Sequence, residues 1–336
     1  MPENSETLLD VQGLTKLFPV RGKTVLPTYR YVQAVKDVSF QVRRGEVLAI
    51  VGESGSGKTT LGRMLIRLLE PTAGSIDFDG TSLLALNKTQ LRLARSRVQF
   101  IFQDPYSSLN PYISVGEAIG EVLEVHKITH TPHERDARVA ELLEMVGLRG
   151  SAATRYPHEF SGGQRQRVGI ARAIAANPDF IVADEPVSAL DVSVQAQILN
   201  LMSDLRARMG LTMVFISHDL AVVRHIADRV AVMYLGHLME IATAEDLFRK
   251  PMHPYTEALL SAVPAIDRNK VKERQVLHGD IPSPLSPPSG CVFRTRCPYA
   301  IEACAKTVPV LETCGSTRSR ACIRQDIMNL SEREPA

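Results

Sequence analysis

One segment, a short apolar run followed at once by a glycine-rich turn, constrains the fold of this chain more than any other. Residues Val47–Val51 (VLAIV) are apolar without a break, which is typical of a strand buried on both faces of a parallel sheet. The turn reads GESGSGKT, and an amphipathic helical pattern, Lys58–Leu69, follows it. A strand, a glycine-rich turn and a helix in direct succession predict a parallel α/β sheet.

The turn matches the phosphate-loop pattern G-x-x-x-x-G-K-[ST] in full and in the required strand–helix context, which disfavours an ordinary glycine turn. Its backbone N–H groups and the helix N-terminus would face the oxygens of a polyphosphate. Lys58 is expected to reach the β- and γ-phosphates, and Thr59 to bind Mg²⁺. The nucleotide-binding residues predicted here are Gly52, Ser54, Gly55, Gly57, Lys58, Thr59 and Thr60.

An acidic pair follows another apolar strand, Phe180–Ala183. Asp184 is placed to hold Mg²⁺, and Glu185 to orient or deprotonate a water that attacks the γ-phosphorus. Alone, such a pair is common surface chemistry, but together with a phosphate loop it indicates a nucleoside triphosphatase. A helical pattern, Gln195–Met209, and a further apolar strand, Thr212–Ile216, extend the predicted parallel sheet.

The remaining regular patterns are local. Residues 106–172 are helical in pattern and carry no convincing strand, and 230–241 predicts a hairpin. A loop is expected at about Pro19–Tyr31. Three alternating strands near the start predict a small antiparallel sheet, namely Leu8–Val11, Val38–Val42 and Ser75–Asp79.

Length, charge and hydropathy narrow the class of protein. The 336 residues suffice for one large domain, or for one domain with an appendage. The balance of 39 basic against 37 acidic residues argues against a nucleic-acid partner. No apolar run approaches the ~20 residues that span a bilayer, and the polar start MPENSETLLD does not resemble a signal peptide. We therefore expect a cytoplasmic chain that separate subunits would hold at any membrane.

The string Ser161-Gly162-Gly163-Gln164 resembles the signature of ABC ATPases and occurs in the order that this family shows. Physically, it would expose backbone N–H groups and a hydroxyl at a second helix N-terminus. In the family this element binds the γ-phosphate held by the opposite subunit. The resemblance implies an α/β, ABC-type P-loop NTPase with a parallel core sheet, an antiparallel β subdomain, a helical subdomain and a short irregular C-terminal extension that contains cysteines.

Other family positions match as well. Gln103 resembles the glutamine that senses the γ-phosphate and Mg²⁺, and Asp191 the aspartate of the loop that links the two active sites. His218, which alone would be an ordinary polar cap, resembles the switch histidine. The resemblance thus implies Glu185, His218 and Gln103 as catalytic residues and Thr59, Gln103 and Asp184 as magnesium ligands. The aromatic residue that stacks on adenine has three candidates, first Phe18 and then Tyr29 and Tyr31.

Several strings, among them SSLNP, HPYTEALLSAVP and SPLSPPSGCVFRTRCP, resemble the dipeptide/oligopeptide (and nickel) importer branch. The long loop before Val32 resembles the second, F-type ATPase of such systems. This resemblance implies an ATP-hydrolysing subunit that powers import of di- or oligopeptides at the cytoplasmic face of the inner membrane. The implied partners are a second, non-identical ABC ATPase, two integral membrane permease subunits and, indirectly, an extracytoplasmic solute-binding protein.

Domain boundaries and a rival function follow from the same comparison. We expect a nucleotide-binding domain at 1–262, with the helical subdomain at about 106–172, and an extension at 263–336 that contains a proline-rich stretch at 281–290. The alternative is a soluble ABC ATPase of translation or DNA repair. Those proteins carry two cassettes or long coiled coils, whereas this chain shows one cassette and no heptad stretch.

All five cysteines lie after residue 290, at Cys291, Cys297, Cys304, Cys314 and Cys322. In a reducing compartment such clustering favours metal ligation over disulfides. Related subunits carry a 4Fe–4S cluster on a similar set, and four thiolates suit that cluster. The resemblance therefore implies four ligands and leaves Cys314 out of the set. Zinc and unligated thiols are the alternatives. The implied ligands are Cys291, Cys297, Cys304 and Cys322.

Overall fold

The computed structural model describes residues 6–21, 29–104, 108–262, 277, 279–315 and 317–327. The strands are β1 (Thr7–Arg21), β2 (Tyr29–Arg43), β3 (Val47–Val51), β4 (Ala73–Phe78), β5 (Thr81–Ser82), β6 (Val98–Ile101), β7 (Phe180–Asp184), β8 (Thr212–Ser217), β9 (Arg229–Tyr234), β10 (His237–Thr243), β11 (Glu312–Thr313) and β12 (Ser319–Arg320). The α-helices are α1 (Lys58–Leu65), α2 (Lys88–Arg97), α3 (Val115–Val125), α4 (Pro132–Met145), α5 (Gly162–Ile174), α6 (Val192–Met209), α7 (Leu220–Ile226), α8 (Ala244–Arg249), α9 (Pro254–Ser261) and α10 (Ala303–Lys306).

The described residues form two compact units, each assembled from separate stretches of chain. The first comprises the described parts of Met1–Leu9, Val42–Val47 and Phe78–Ile216. The second comprises Asp10–Gln41, Leu48–Asp77 and the described part of Ser217–Ala336. The predicted domain boundary near residue 262 borders residues 263–276, which lie outside the described residues, and it stays a prediction.

The first unit contains a parallel sheet in which β7 lies between β6 and β8. Val98 pairs with Phe180, and Phe180 pairs in turn with Thr212, both in parallel register. Every residue of β7 and of β8 is buried, as their uninterrupted apolar sequences predict. The parallel α/β arrangement expected from the sequence is therefore confirmed for these strands.

The helical stretch of the first unit is confirmed too, because the described residues from 108 to 172 contain no strand. Helices α3, α4 and α5 pack against one another. Their starts are set by side chains: Ser114 accepts a hydrogen bond from the Glu117 N–H, and Thr131 from the Glu134 N–H. Each glutamate reaches back to the N–H of its capping residue, so two otherwise unsatisfied donors are paired at each helix start.

In the second unit the three strands predicted near the start do lie side by side, in the order β2, β1, β4. Strands β1 and β2 each run for 15 residues, far beyond the predicted segments. The loop predicted at Pro19–Tyr31 is therefore too long, since β1 continues to Arg21 and β2 begins at Tyr29. The alternation of buried residues ends early in these strands, whereas the strand conformation continues past it. Part of the predicted loop lies outside the described residues.

The second unit also contains β3, which pairs in parallel with β9, and the predicted hairpin of β9 and β10. Leu235 and Gly236 form the two-residue turn with φ 46° and 82°, the left-handed pair typical of a type I′ turn. Late residues complete this unit. Strand β12 pairs with β10, and Phe293, 1% exposed, belongs to the same apolar core as Tyr234 and Tyr255.

Two helices differ from the predicted bounds. Helix α1 ends at Leu65 rather than Leu69, because Arg67 has φ 53° and the backbone leaves the helical conformation there. Helix α6 begins at Val192, ahead of the predicted Gln195, directly after Asp191 as its N-cap residue. Within the described ranges, no helix is both long and apolar enough to cross a membrane.

Candidate functional site

The glycine-rich turn joins β3 to α1, and a close approach of the backbone shapes it. Gly57 directly precedes α1 and has φ 101°, a conformation that residues with a Cβ rarely adopt. A Cβ at this position would lie 2.1 Å from the carbonyl oxygen of Ala34. Glycine is therefore required at this point by the packing of the second unit as well as by its backbone conformation.

Lys58, predicted to bind phosphate, is folded over this turn. Its side chain is 5% exposed, and Nζ donates hydrogen bonds to the carbonyl oxygens of Gly52 at 2.8 Å and Glu53 at 3.0 Å. Buried Ser56 Oγ has no hydrogen-bond partner among the described residues, so the turn retains an unused polar group. The ammonium, the hydroxyl and the N-terminus of α1 are groups of the kind that bind an anion.

The other predicted residues of the turn differ in exposure. Ser54 and Gly55 are exposed at its tip, whereas Thr59 and Thr60 are half-buried in the first turn of α1. The hydroxyl of Thr59 is an oxygen donor of the kind that Mg²⁺ prefers. These phosphate-loop residues all lie in the second unit.

The predicted acidic residues, Asp184 and Glu185, lie in the first unit. Strands β6 and β7 run in parallel with Ile101 opposite Ala183, so the residues after both strands leave the sheet at one edge. Asp184 ends β7 and is 2% exposed. Gln103 follows β6, and its Nε2 donates to Oε2 of Glu185 at 3.0 Å. The structure therefore brings the predicted glutamine and the predicted general base into direct contact.

Glu185 is held in an unusual backbone conformation. Its φ of 45° is left-handed, which is uncommon for residues other than glycine, and its N–H donates to Ile216 O at 3.0 Å. Asp184 and Gln103 offer carboxylate and amide oxygens, which are donors of the kind that Mg²⁺ prefers, as is the Thr59 hydroxyl of the second unit. By this test of chemistry the predicted magnesium ligands fit the ion.

The signature segment begins α5. Ser161 is its N-cap residue: its hydroxyl accepts from the Gln164 N–H at 3.3 Å, and the Gln164 side chain accepts from the Ser161 N–H at 3.0 Å. A Cβ on Gly163 would lie 2.4 Å from Cγ1 of Val194 in α6. Asp191, the N-cap residue of α6, is exposed and makes no side-chain cap hydrogen bond. The predicted signature and linking loop therefore form one surface built on two helix N-termini.

The remaining nucleotide candidates lie in the second unit. His218 is exposed, one residue beyond the end of β8. Phe18 in β1 is 36% exposed, with Lys16 Nζ 5.1 Å from its ring centroid, whereas Tyr29 and Tyr31 in β2 are 61% and 52% exposed. All three aromatic residues stand on neighbouring strands, and the choice of adenine-stacking residue among them stays open.

The four predicted ligand cysteines line one cavity in the second unit, together with Phe293 and other residues of its core. Cys314 is not among the lining residues. Burial is the main cause that raises the pKa of Cys291 to about 11 and of Cys297 to about 12, and it raises the pKa of Cys322 as well. A protonated thiol is a poor metal ligand, but coordination to a metal cation deprotonates it.

Two observations bear on a metal at this cavity. Among the residues that the structure describes, no group of three or more His, Cys, Asp or Glu is arranged as a metal site. The convergence of Cys291, Cys297, Cys304 and Cys322 on one cavity nevertheless matches, in donor chemistry, what a four-thiolate group requires. The ligand set implied by sequence resemblance stays a prediction.

Contacts to the phosphate loop from the late part of the chain were not predicted. Glu53, inside the loop, contacts Tyr255 and Arg296. No local pattern could reveal these contacts, since the paired residues lie 202 and 243 positions apart. All three residues belong to the second unit, as the phosphate loop does.

Comparison with known proteins identifies the family. The sequence profile described as "ABC transporter" matches residues 35–188, and the profile described as "Oligopeptide/dipeptide transporter, C-terminal region" matches 239–304. A putative peptide import ATP-binding protein of Brucella ovis is 57% identical over 95% of this chain and 98% of its own length. The chain belongs to the ATP-binding proteins of ABC transporters.

Further similarities agree with this ABC assignment. The oligopeptide transport ATP-binding protein AppF of Bacillus subtilis is 51% identical over 95% of this chain and 98% of its own length. The solved ATP-binding cassette MJ0796, a dimer in a post-hydrolysis state bound to ADP and Pi, covers 70% of this chain and 99% of its own, with 30% identity and a TM-score of 0.63. The predicted ABC-type P-loop fold and ATPase activity are confirmed, and a soluble ABC ATPase of translation or repair is not favoured.

Proposed function

We propose that this ABC ATPase powers the import of di- or oligopeptides through an inner-membrane transporter, acting at its cytoplasmic face. The proposal is supported by the names of relatives that match 95% of the chain and by the oligopeptide-type C-terminal profile. The hydrolytic part of the proposal is supported by a single contact, that of Gln103 with Glu185. This contact joins the predicted phosphate sensor to the predicted base.

Each half of the site has a distinct task. The phosphate loop and Lys58 bind the β- and γ-phosphates of ATP. Thr59, Asp184 and Gln103 would hold Mg²⁺, which would supply positive charge against the phosphate oxygens. Glu185 accepts a proton from the attacking water or orients it. The hydrogen bond from Gln103 holds the Glu185 side chain and connects the base to the segment that follows β6.

The signature surface acts on a second nucleotide. We propose that the ABC partner is a second, non-identical ATPase, whose bound ATP meets the N–H groups of Gly162 and Gly163 and the Ser161 hydroxyl. Asp191 links the two sites across the subunit contact, and His218 switches with the γ-phosphate. ATP binding then closes the pair and hydrolysis reopens it. Two permease subunits and an extracytoplasmic solute-binding protein complete the proposed transporter.

We also propose that Cys291, Cys297, Cys304 and Cys322 hold a 4Fe–4S cluster, with zinc as the alternative. The shared cavity and the soft donor set support this assignment. Bound there, the cluster would cross-link the segment from 291 to 322, which contains little regular structure. The proposed domains are the nucleotide-binding domain at 1–262 and the extension at 263–336, although the C-terminal profile already begins at residue 239.

Replacement of the base tests the hydrolytic mechanism. Glu185→Gln keeps the size of the side chain and its acceptor oxygen but removes the base, so turnover should fall by about 10²–10⁴-fold while ATP binding persists. Glu141→Gln, an exposed carboxylate on α4 paired with Arg138, is the matched control and should leave turnover unchanged. Normal turnover in Glu185→Gln would show that the base lies elsewhere.

Substrate class requires the assembled transporter. The complete complex, reconstituted in vesicles, should show ATPase stimulation when its binding protein carries peptides. Binding protein loaded with sugar should not stimulate it, and nickel-loaded protein tests the neighbouring branch. Peptide that accumulates, in response to ATP, on the side of the membrane opposite the binding protein establishes import, whereas ATP-driven movement in the other direction would refute it.

The cysteine proposal is tested by anaerobic purification. A cluster gives broad absorbance near ~400 nm and stoichiometric iron, whereas zinc gives neither. Cys297→Ser should abolish the absorbance and the bound metal, and Cys314→Ser, the matched control outside the cavity, should retain both. Protein without iron or zinc under these conditions would leave only the unligated thiols.

A further inference from the structure

The phosphate loop contains an acidic residue, Glu53, whose carboxylate is bound by Arg296. This arginine lies in the cysteine-containing segment, by which we mean residues 291–322. Arg296 donates from Nη1 to Oε2 at 2.6 Å and from Nη2 to Oε1 at 3.1 Å, the two-pronged geometry that arginine forms with carboxylates. The side chains of Arg296 and Glu53 are 7% and 24% exposed. This is a well-shielded charge pair rather than a surface contact.

The backbone of the same residue is held by a second distant side chain. The N–H of Glu53 donates to the hydroxyl of Tyr255 at 2.9 Å. Tyr255 is fully buried, and its ring lies 4.7 Å from that of Tyr234 and 5.2 Å from that of Phe293, centroid to centroid. Because Tyr255 is fixed by aromatic packing, its hydroxyl is a rigid anchor for the loop.

The third contact of Glu53 leads to the phosphate-binding ammonium. Its carbonyl oxygen accepts from Nζ of Lys58 at 3.0 Å, next to the 2.8 Å bond from Nζ to Gly52 O. A displacement of Glu53 therefore moves one of the two acceptors that orient Lys58. Through this residue the cysteine-containing segment and α9 are mechanically connected to the group that meets the phosphates.

Charge gives the arginine a second effect. A carboxylate inside a loop that binds a polyanion opposes binding, and the opposition is strongest where solvent screening is weak. Arg296 cancels that charge at hydrogen-bond distance. The ion pair is expected to add little to the stability of the fold, because the cost of desolvating the two charges offsets much of their attraction. Arg296 Nε is also buried without a hydrogen-bond partner among the described residues.

We propose that Arg296 is a positioning residue for ATP binding: it neutralises Glu53 and fixes the loop backbone that orients Lys58. The proposal rests on the proposed role of the phosphate loop. The residue acts on nucleotide affinity rather than on the chemical step, because its ion pair is with the phosphate loop. Its other contacts are with Tyr234 and Phe293, which belong to the aromatic core of the same unit.

Equilibrium binding of ATP and steady-state hydrolysis by the full chain test this. Arg296→Gln should raise the Kd for ATP by about tenfold, a mid-range coupling for directly bonded groups. The kcat at saturating ATP should stay within about twofold of the parent, since the base is untouched. Arg294→Gln is the matched control: Arg294 lies in the same segment and bonds to Ser289, so its Kd should not change.

Two further variants separate positioning from general damage. Arg296→Lys retains the charge without the two-pronged contact and should recover part of the affinity. The double variant Glu53→Gln with Arg296→Gln removes both charges, and its Kd should return to within about threefold of the parent. Iron and zinc content, measured for each variant, reports whether the cysteine cavity has been disturbed.

The outcomes are distinct. A Kd for Arg296→Gln equal to that of Arg294→Gln, or a double variant as weak as Arg296→Gln alone, would overturn the proposal. If Arg296→Gln does not fold, Arg296→Lys and the double variant decide in its place. Wild-type affinity in Arg296→Lys together with weak binding in the double variant would then count against the proposal.

Lys58→Ala should abolish ATP binding. If it binds ATP normally, the phosphate-loop assignment itself fails, whereas loss in Lys58→Ala with no effect in Arg296→Gln refutes only the inference.

Discussion

The substitution Gly57→Ala should destabilise the protein far more than Gly55→Ala, although both residues lie in the same glycine-rich turn. At Gly57 the alanine would hold a left-handed φ of 101°, and its Cβ would lie 2.1 Å from the backbone oxygen of Ala34. Carbon and oxygen atoms that are not bonded ordinarily stay more than about 3 Å apart, so the backbone at residue 57 or at Ala34 must move by about 1 Å. Strain and overpacking together predict a loss of about 3–5 kcal/mol in the free energy of unfolding.

Gly55 provides the matched comparison. Its φ of 78° is also left-handed, but a Cβ there meets no atom within 4 Å. Gly55→Ala should therefore lose only the conformational term, about 1–2 kcal/mol. Urea unfolding of the nucleotide-free protein, followed by circular dichroism, measures both losses. Equal losses in the two variants would refute the claim that close backbone approach, rather than conformation alone, requires glycine at Gly57.

Three further changes have defined outcomes. Burial and Lys36 lower the pKa of His237 from 6.5 to about 4, so the unfolded chain binds more protons between these values and stability should fall by about 1–3 kcal/mol as pH drops from 6.5 to 4; urea titrations across this range should show a shallower fall for His237→Gln. Gly169→Ala, inside α5 with open space for a Cβ, should raise the unfolding free energy by about 0.5–1 kcal/mol, and a loss would mean that the space is not open. Ser161→Ala removes the cap of α5 and should cost about 1 kcal/mol, which Ser161→Asp should restore.

The parts of the fold that could be predicted are those encoded in contiguous sequence. The buried strand at Val47–Val51 and the strand at Phe180–Ala183 appear where expected, because an unbroken apolar run has few other places in a folded protein. The hairpin at 230–241 could also be predicted, because its two strands are joined by a turn of only two residues and are therefore encoded side by side in the sequence. The ends of α1 and the reach of β1 were not, because both depend on backbone conformation beyond the periodic pattern.

The candidate site divides in the same way. Motif spacing identifies Lys58, Asp184 and Glu185 as a group, and the structure adds the contact of Gln103 with Glu185 inside one unit. The set of four ligand cysteines came from family resemblance, whereas the cavity that they line is visible only in the structure. No sequence pattern indicated the contact of Arg296 with Glu53. An arginine outside a regular element is ordinarily exposed to solvent, and its partner lies in a motif far away in the sequence.

The distance along the chain between Glu53 and Arg296 has a consequence for protein synthesis. The two residues are 243 positions apart, and at about 5–20 residues per second on the order of 10–50 s separate their translation. Tyr255 and β12 also arrive after the loop has left the ribosome. The phosphate loop is thus among the first segments to be made and among the last to gain its native contacts. A nascent chain released early would carry the nucleotide motif without the groups that fix its geometry.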